Sequence, residues 1–285
     1  MLTASAIDAV VRNALDEDAP WGDVTSELLI PAAAQASARL SAREPGVFSG
    51  GALLAATMAA VDPAVVVRLR VADGDTFSAG DTLAEVSGAA RSVLRAERVA
   101  LNLVQRMSGI ATQTARYVEA VSGTRARIVD TRKTTPGLRA LERHAVRSGG
   151  GHNHRFSLSD AVMAKDNHLA VLRSQGLSVT DALLDLRARL SHTTHLEVEV
   201  DAMDQIEAVL AGGVDTIMLD NFGIEELRAG VALVAGRALV EASGGVSLDT
   251  VRAIAETGVD IISVGALTHS ARALDLGLDI DVSAG

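Results

Sequence analysis

The sequence predicts an α/β protein of two unequal domains, a mixed α/β unit over roughly the first hundred residues and a β/α barrel after it. Three observations lead there. Short β-rich runs recur through the second half, and the last four, starting at Leu196, Thr216, Ala238 and Ile261, begin 20 to 23 residues apart, the length of one strand-loop-helix-loop unit. Amphipathic stretches at 202–210, 224–234 and 247–257 accompany these later runs, closed by Gly212, Gly236 and Gly258. Polar residues follow each run, and in a β/α barrel all strand C-termini open on one face, so those residues converge there although they are far apart in the chain.

In chain order, 4–15 suits a short helix, and 38–43 and 65–71 suit strands. Asp73-Gly74-Asp75 and Gly80-Asp81 space turns as in the small β-sandwich of lipoyl and biotinyl carriers, but the segment has no lysine to modify and reads as scaffold. The stretch 90–121 is helical with an interruption expected at Ser108-Gly109, where a domain boundary is placed. Strands are then expected at 127–131 and 161–165, ahead of the four evenly spaced ones, which end near 200, 219, 241 and 264.

Composition narrows the function. Hydrophobic residues make up 48% and charged ones 22%, so the chain folds. Aromatics are only 2%, too few for base-stacking platforms, and the net charge of -10 repels nucleic acid and anionic membranes. An anion site must therefore be a local concentration of cations, and 125–173 supplies one, with ten Lys and Arg against four acids. With no cysteine, disulfides, thiolate metal sites and cysteine nucleophiles are excluded. The N-terminus is amphipathic and acidic, and no apolar run reaches membrane-spanning length, so a cytoplasmic location is expected.

Lysine usage is the sharpest clue. Of 26 basic residues only Lys133 and Lys165 are lysines, and both stand at strand ends, whereas two accidental survivors would scatter. An arginine fork cannot replace a compact ammonium, so both read as functional. Arg132 and Arg155 offer planar forks for carboxylate or phosphate; alone each would be a surface ion pair, but beside Lys133, His154 and Lys165 they form an anion clamp. Glu199 and Asp220 end adjacent strands without His or Cys companions, a pair suited to Mg²⁺ unless it neutralises the nearby cations. Ser243-Gly244-Gly245 precedes a helix and Val264-Gly265-Ala266 follows the next strand, like the phosphate cradle of a barrel's final loops.

These motifs resemble the quinolinate phosphoribosyltransferases. The resemblance runs through Ala14 to Asp18 with Gly22-Asp23-Val24-Thr25, Glu97-Arg98 with Leu101-Asn102-Leu103, Ser108 to Thr112, Asp130 to Arg139, Gly149 to Arg155, Lys165 to His168, and Leu219-Asp220-Asn221-Phe222; it departs at Arg143-His144 and Ser148, outside the site. It implies an N-terminal α/β sandwich domain over 1–110, an incomplete, open β/α barrel over 111–272, and a tail, 273–285, returning to the first domain. It also implies Mg²⁺-dependent transfer of phosphoribosyl from phosphoribosyl pyrophosphate to quinolinate with loss of CO₂, in a homodimer or higher even oligomer with shared sites. Arg132, His154, Arg155 and Lys165 are then expected around quinolinate, with Thr131 beside them. Lys133, Glu199 and Asp220 are expected around the donor and metal, and Ser243, Gly244, Gly245, Ser263 and Gly265 around the 5′-phosphate. Arg98 would come from the partner subunit, with Arg98, Lys133 and Lys165 as the catalytic set.

Other readings fit part of the pattern. A related phosphoribosyltransferase on another base shares most of it. A lyase using Lys165 as a Schiff base would also place a lysine at a barrel strand end. A non-catalytic anion-binding module fits the cations but gives no role to Glu199 and Asp220.

Overall fold

The computed structural model describes residues 2–283 and divides into two compact units, one formed by the chain up to 115 with 134–150 and 267 onward, the other by 116–133 and 151–266. Its class is the expected one, a mixed α/β unit and an open parallel barrel.

The first unit opens with α1 (Ala4–Asp18) and α2 (Val24–Leu29), whose N-cap Asp23 accepts the Thr25 and Ser26 amides. There follow β1 (Gln35–Ala42), β2 (Gly46–Val47), α3 (Gly51–Val61), β3 (Val66–Leu69), β4 (Thr76–Phe77), β5 (Thr82–Ala89) and the long α4 (Ala90–Ala120). Alternation along β1 turns Ala36, Ala38, Leu40 and Ala42 into a core shared with Phe48, Leu54, Met58, Leu83, Val93 and Val104. Small alanines on the strand leave room for that aliphatic packing, and each fully buried Leu or Val contributes about 1.5–3 kcal/mol.

The expected interruption of α4 at Ser108-Gly109 does not occur. Gly109 is there because a Cβ at that position would lie 2.0 Å from the Arg272 carbonyl oxygen, so the glycine serves close backbone packing rather than a break. Inside a helix it costs about 1 kcal/mol relative to alanine, too little to end one of this length.

The second unit takes the last turn of α4 and then β6 (Arg127–Val129). The chain then returns to the first unit for α5 (Arg139–Ser148), where the fully buried Glu142 accepts the Thr135 amide at 3.1 Å, its hydroxyl at 2.8 Å and Arg106 Nη2 at 2.8 Å. Back in the second unit come β7 (Val162–Ala164), α6 (Asp166–Ser174), α7 (Val179–Arg189), β8 (Leu196–Val200), a 3₁₀ turn at Met203–Gln205, α8 (Ile206–Ala211), β9 (Thr216–Asp220), α9 (Ile224–Val234), β10 (Leu239–Ser243), α10 (Val251–Ala255) and β11 (Ile261–Ser263), and the chain then re-enters the first unit in α11 (Ala266–His269). All strands of the second unit pair in parallel, in the order β6-β11-β10-β9-β8-β7 among the described residues. β6 and β7 are the two edges, so the barrel is open. Every residue of β8 is buried, as expected of a parallel strand covered on both faces.

The chain closes with β12 (Leu276–Ser283), antiparallel to β1 with Leu278 opposite Leu40, in the sheet β12-β1-β5-β3. Residues 284 and 285 of the expected tail lie outside the described residues. Among the described residues no helix is long and apolar enough to cross a membrane.

Candidate active site

Strand ends of the second unit bring the sequence's candidates together. Thr131, Arg132 and Lys133 after β6, His154 and Arg155 from the loop ahead of β7, and Lys165 after β7 line one cavity of about 400 Å³. The same cavity takes Glu199 from β8, Asp220 from β9, Ser243 from β10 and Ser263 from β11.

Local bonding explains the placement. Asp130, fully buried at the end of β6, accepts the His154 amide at 2.8 Å and Asn153 Nδ2 at 2.6 Å, while a parallel bridge between Val129 and His152 runs the 151–155 segment along the sheet edge. Thr131 Oγ1 accepts the Lys133 amide at 3.1 Å and shapes the turn that presents that lysine. Burial lowers the pKa of Arg155 and the neighbouring Arg132 charge lowers it further, against Glu197 and Asp160. Two guanidiniums close enough to feel each other make a field suited to a dianion.

The carboxylates are differently engaged. Glu199 Oε2 accepts Lys165 Nζ at 2.5 Å, so it does neutralise a neighbouring cation, whereas Asp220 Oδ2 accepts only the neutral Asn221 amide at 2.7 Å among the bonds described. Asn221 holds a left-handed φ of 60° and its backbone N–H donates to Ser243 O at 2.9 Å. Gly244, at φ +93°, packs so closely on it that a Cβ would lie 2.2 Å from Asn221 Oδ1. The β9 and β10 loops are thus interlocked, which accounts for both the Asp-Asn and the Ser-Gly-Gly motifs.

Four candidates do not line the cavity. Gly244 and Gly245 shape the β10 loop, and Gly265 joins β11 to α11. Arg98 lies exposed on α4, in the part of that helix belonging to the first unit.

Sequence reasoning missed four contributors. Met163 and Met218 line the cavity, each two residues before a recognised polar residue and so on the same strand face; their flexible side chains make part of its wall apolar. Glu197 and Glu241 stand two residues before Glu199 and Ser243, one pleat deeper, at 4% and 2% exposure. Burial, with Glu197 beside it, pushes the Glu241 pKa up to about 8. A wider cavity of about 1130 Å³ against β7, α6 and α7 is walled mainly by Val171, Leu172, Leu183 and Leu186 and lacks such convergent chemistry.

The model of the quinolinate phosphoribosyl transferase N-terminal domain matches residues 23–108 and that of the C-terminal domain residues 110–279. The chain belongs to this family. It is 45% identical over 290 residues to the nicotinate-nucleotide pyrophosphorylase [carboxylating] of Mycobacterium leprae, covering 98% of this chain and 100% of that one. It is 40% identical to the probable enzyme of the same name from Bacillus subtilis, covering 94% and 91%. A crystal structure of NadC from Streptococcus pyogenes superposes with a TM-score of 0.93 at 40% identity, covering 100% and 99%. Membership in the quinolinate phosphoribosyl transferases accounts for a cationic barrel mouth in an acidic chain.

Proposed function

We propose that this chain transfers phosphoribosyl from phosphoribosyl pyrophosphate to quinolinate and releases pyrophosphate and CO₂, giving nicotinate mononucleotide for NAD synthesis. The observation that carries this reading is the gathering of Arg132, Arg155, Lys165, Lys133, Glu199 and Asp220 around one cavity in a chain of this family.

Arg132, Arg155 and Lys165 take the two carboxylates of quinolinate, with Thr131 and His154 in the wall beside them. Lys133 holds the donor's diphosphate, and the Ser243-Gly244-Gly245 and Ser263 to Gly265 loops take its 5′-phosphate. Fixed cations suit this reaction because negative charge grows on the departing pyrophosphate as the ring nitrogen bonds to the ribose carbon and the bond to the diphosphate oxygen breaks. The carbon–carboxylate bond next to the ring nitrogen then breaks. Its electron pair stays on the ring, stabilised by the now positive nitrogen, until a proton from water replaces CO₂.

Glu199 and Asp220 fit Mg²⁺ by donor type: both are hard carboxylates on adjacent strands, and Asp220 carries no bonded cation among the contacts described. Mg²⁺ bound there with the donor would neutralise diphosphate charge. The assembly we propose is a homodimer or higher even oligomer in which Arg98 enters the partner's site. Exposed Arg98 supports it, as do the apolar side chains of Trp21, Val24, Leu28 and Leu29, which are 92%, 65%, 79% and 74% exposed. The cytoplasmic location expected from the sequence goes with this reading.

Comparing quinolinate with nicotinate as acceptor tests the substrate. The proposal expects turnover with quinolinate alone, and preference for the monocarboxylate would move the chain to another base. A Schiff-base role for Lys165 would first have to break its pairing with Glu199; borohydride with carbonyl compounds is expected to trap nothing.

A further inference from the structure

We infer that Met163 sets the size of the acceptor ring: it is the partition between the charged cavity and the wider apolar cavity against α6 and α7, and cutting it back admits pyridine-2,3-dicarboxylates that carry an apolar substituent. This deepens the proposed function and rests on it for the choice of acceptor.

Among the described residues Met163 is the one that lines both spaces, the cavity of about 400 Å³ at the strand ends and the cavity of about 1130 Å³ beside it. The topology explains why one side chain divides them. β7 is an edge of the open barrel and pairs with β8 on one side, so no further strand thickens the wall there, and its three residues are all half-buried.

The acceptor belongs on the β7 side of the charged cavity. Lys165 follows Met163 by two residues and so shares its strand face, one pleat nearer the mouth. Arg155 Nη1 donates to Ala161 O at 3.1 Å, which ties that guanidinium to the start of the same strand. A ring whose carboxylates rest on Arg155 and Lys165 therefore extends down the strand onto Met163. Met218 stands two residues before Asp220 on β9, among the groups proposed for the donor, so the two methionines face different substrates.

Chemistry changes across Met163. On one side stand Arg132, Arg155 and Lys165; on the other, Val171, Leu172, Leu183 and Leu186 make an apolar lining. An unbranched thioether suits that boundary, since it gives an aromatic ring apolar contact and closes the second space to it. Carbon 5 of the pyridine is the one ring carbon beside neither the nitrogen nor a carboxylate-bearing carbon. A substituent there grows toward Met163 without disturbing the attack on ribose or the contacts of the two carboxylates. In 5-ethylpyridine-2,3-dicarboxylate the carboxylates keep their cations, and the ethyl group needs the volume that the thioether fills.

The test compares this acid with quinolinate on the full chain, by kcat/KM and by calorimetric affinity, in wild type, Met163→Ala, Met163→Leu and Met218→Ala. Wild type should favour quinolinate by about tenfold or more, the discrimination an apolar wall gives against added methylene groups. Met163→Ala should move the ratio by at least about tenfold toward the ethyl compound, and Met163→Leu, close to methionine in volume, should keep it within about threefold. Loss of folded protein lowers both acceptors alike and cannot imitate that shift. An unchanged ratio in Met163→Ala, or an equal shift in Met218→Ala, overturns the inference. Wild type that turns over no quinolinate would fail the functional reading alone, and the affinity ratio of the two acids would still judge Met163.

Discussion

Lys165 Nζ sits 2.5 Å from Glu199 Oε2, joining the ends of β7 and β8 in one ion pair at the barrel mouth. One partner belongs to the group expected around quinolinate and the other to the group expected around the donor, so the two expected subsites are not electrically independent.

That pairing separates two carboxylate variants. Asp220→Asn should raise the Michaelis constant for phosphoribosyl pyrophosphate in Mg²⁺ by about ten- to a hundredfold, the loss of one charge-assisted contact, and leave quinolinate affinity within about threefold. Glu199→Gln should weaken both, because it also frees Lys165. Separate titrations of the two ligands check this, and equal losses for both in Asp220→Asn would make that residue structural.

Lys133→Arg keeps its charge but replaces a point-like ammonium with a broad fork in a cavity of about 400 Å³. The variant should lose at least about tenfold in kcat/KM, about 1.4 kcal/mol of transition-state stabilisation. Activity within a few-fold of wild type would undo the argument from lysine usage.

Glu241 predicts a stability profile. Its pKa is raised from 4.5 to about 8 by burial and by Glu197. A raised carboxyl favours the folded state in its protonated form, so its contribution is complete below pH 4.5 and is lost as pH rises through about 8. The slope for one proton is at most about 1.4 kcal/mol per pH unit. Denaturation midpoints measured across that window should decline for wild type and decline less for Glu241→Gln, which has nothing to titrate.

Arg98 predicts complementation. It is exposed on α4 and absent from the walls of the cavity that holds Lys165. Arg98→Ala and Lys165→Ala, each inactive alone, should after subunit exchange form mixed dimers with one intact site of two. Equal mixing makes about half the dimers mixed, so about a quarter of wild-type activity should return. Mixed dimers isolated by two different tags and still inactive would remove Arg98 from the partner's site.

The barrel mouth was readable because parallel strands flanked by helices repeat at a near-constant interval, and the polar residues at their ends stand out against apolar runs. Glu199 and Asp220 follow from that repeat, whereas Lys133 and Lys165 stand out as the two lysines among 26 basic residues. Glu197 and Glu241 were not readable, because a carboxyl one pleat inside a buried strand looks like an exception to the pattern rather than part of it, and only three-dimensional packing on His154 gives it a partner. Gly109 misled for a related reason: its purpose is the approach of Arg272, 163 residues later in the chain, which local propensity cannot register. The ring orientation of His154 likewise depends on the Arg155 amide and on β8 and β10 together, which no local pattern in the sequence displays.

The central claim, decarboxylating phosphoribosyl transfer at this cavity, is tested most directly by stoichiometry. Purified full-length protein is given quinolinate labelled in the carboxylate beside the ring nitrogen, phosphoribosyl pyrophosphate and Mg²⁺, and CO₂, pyrophosphate and nucleotide are counted together. The account predicts one of each per quinolinate consumed, with none formed by Lys165→Ala; pyrophosphate released without CO₂, or no turnover of quinolinate at all, would contradict it.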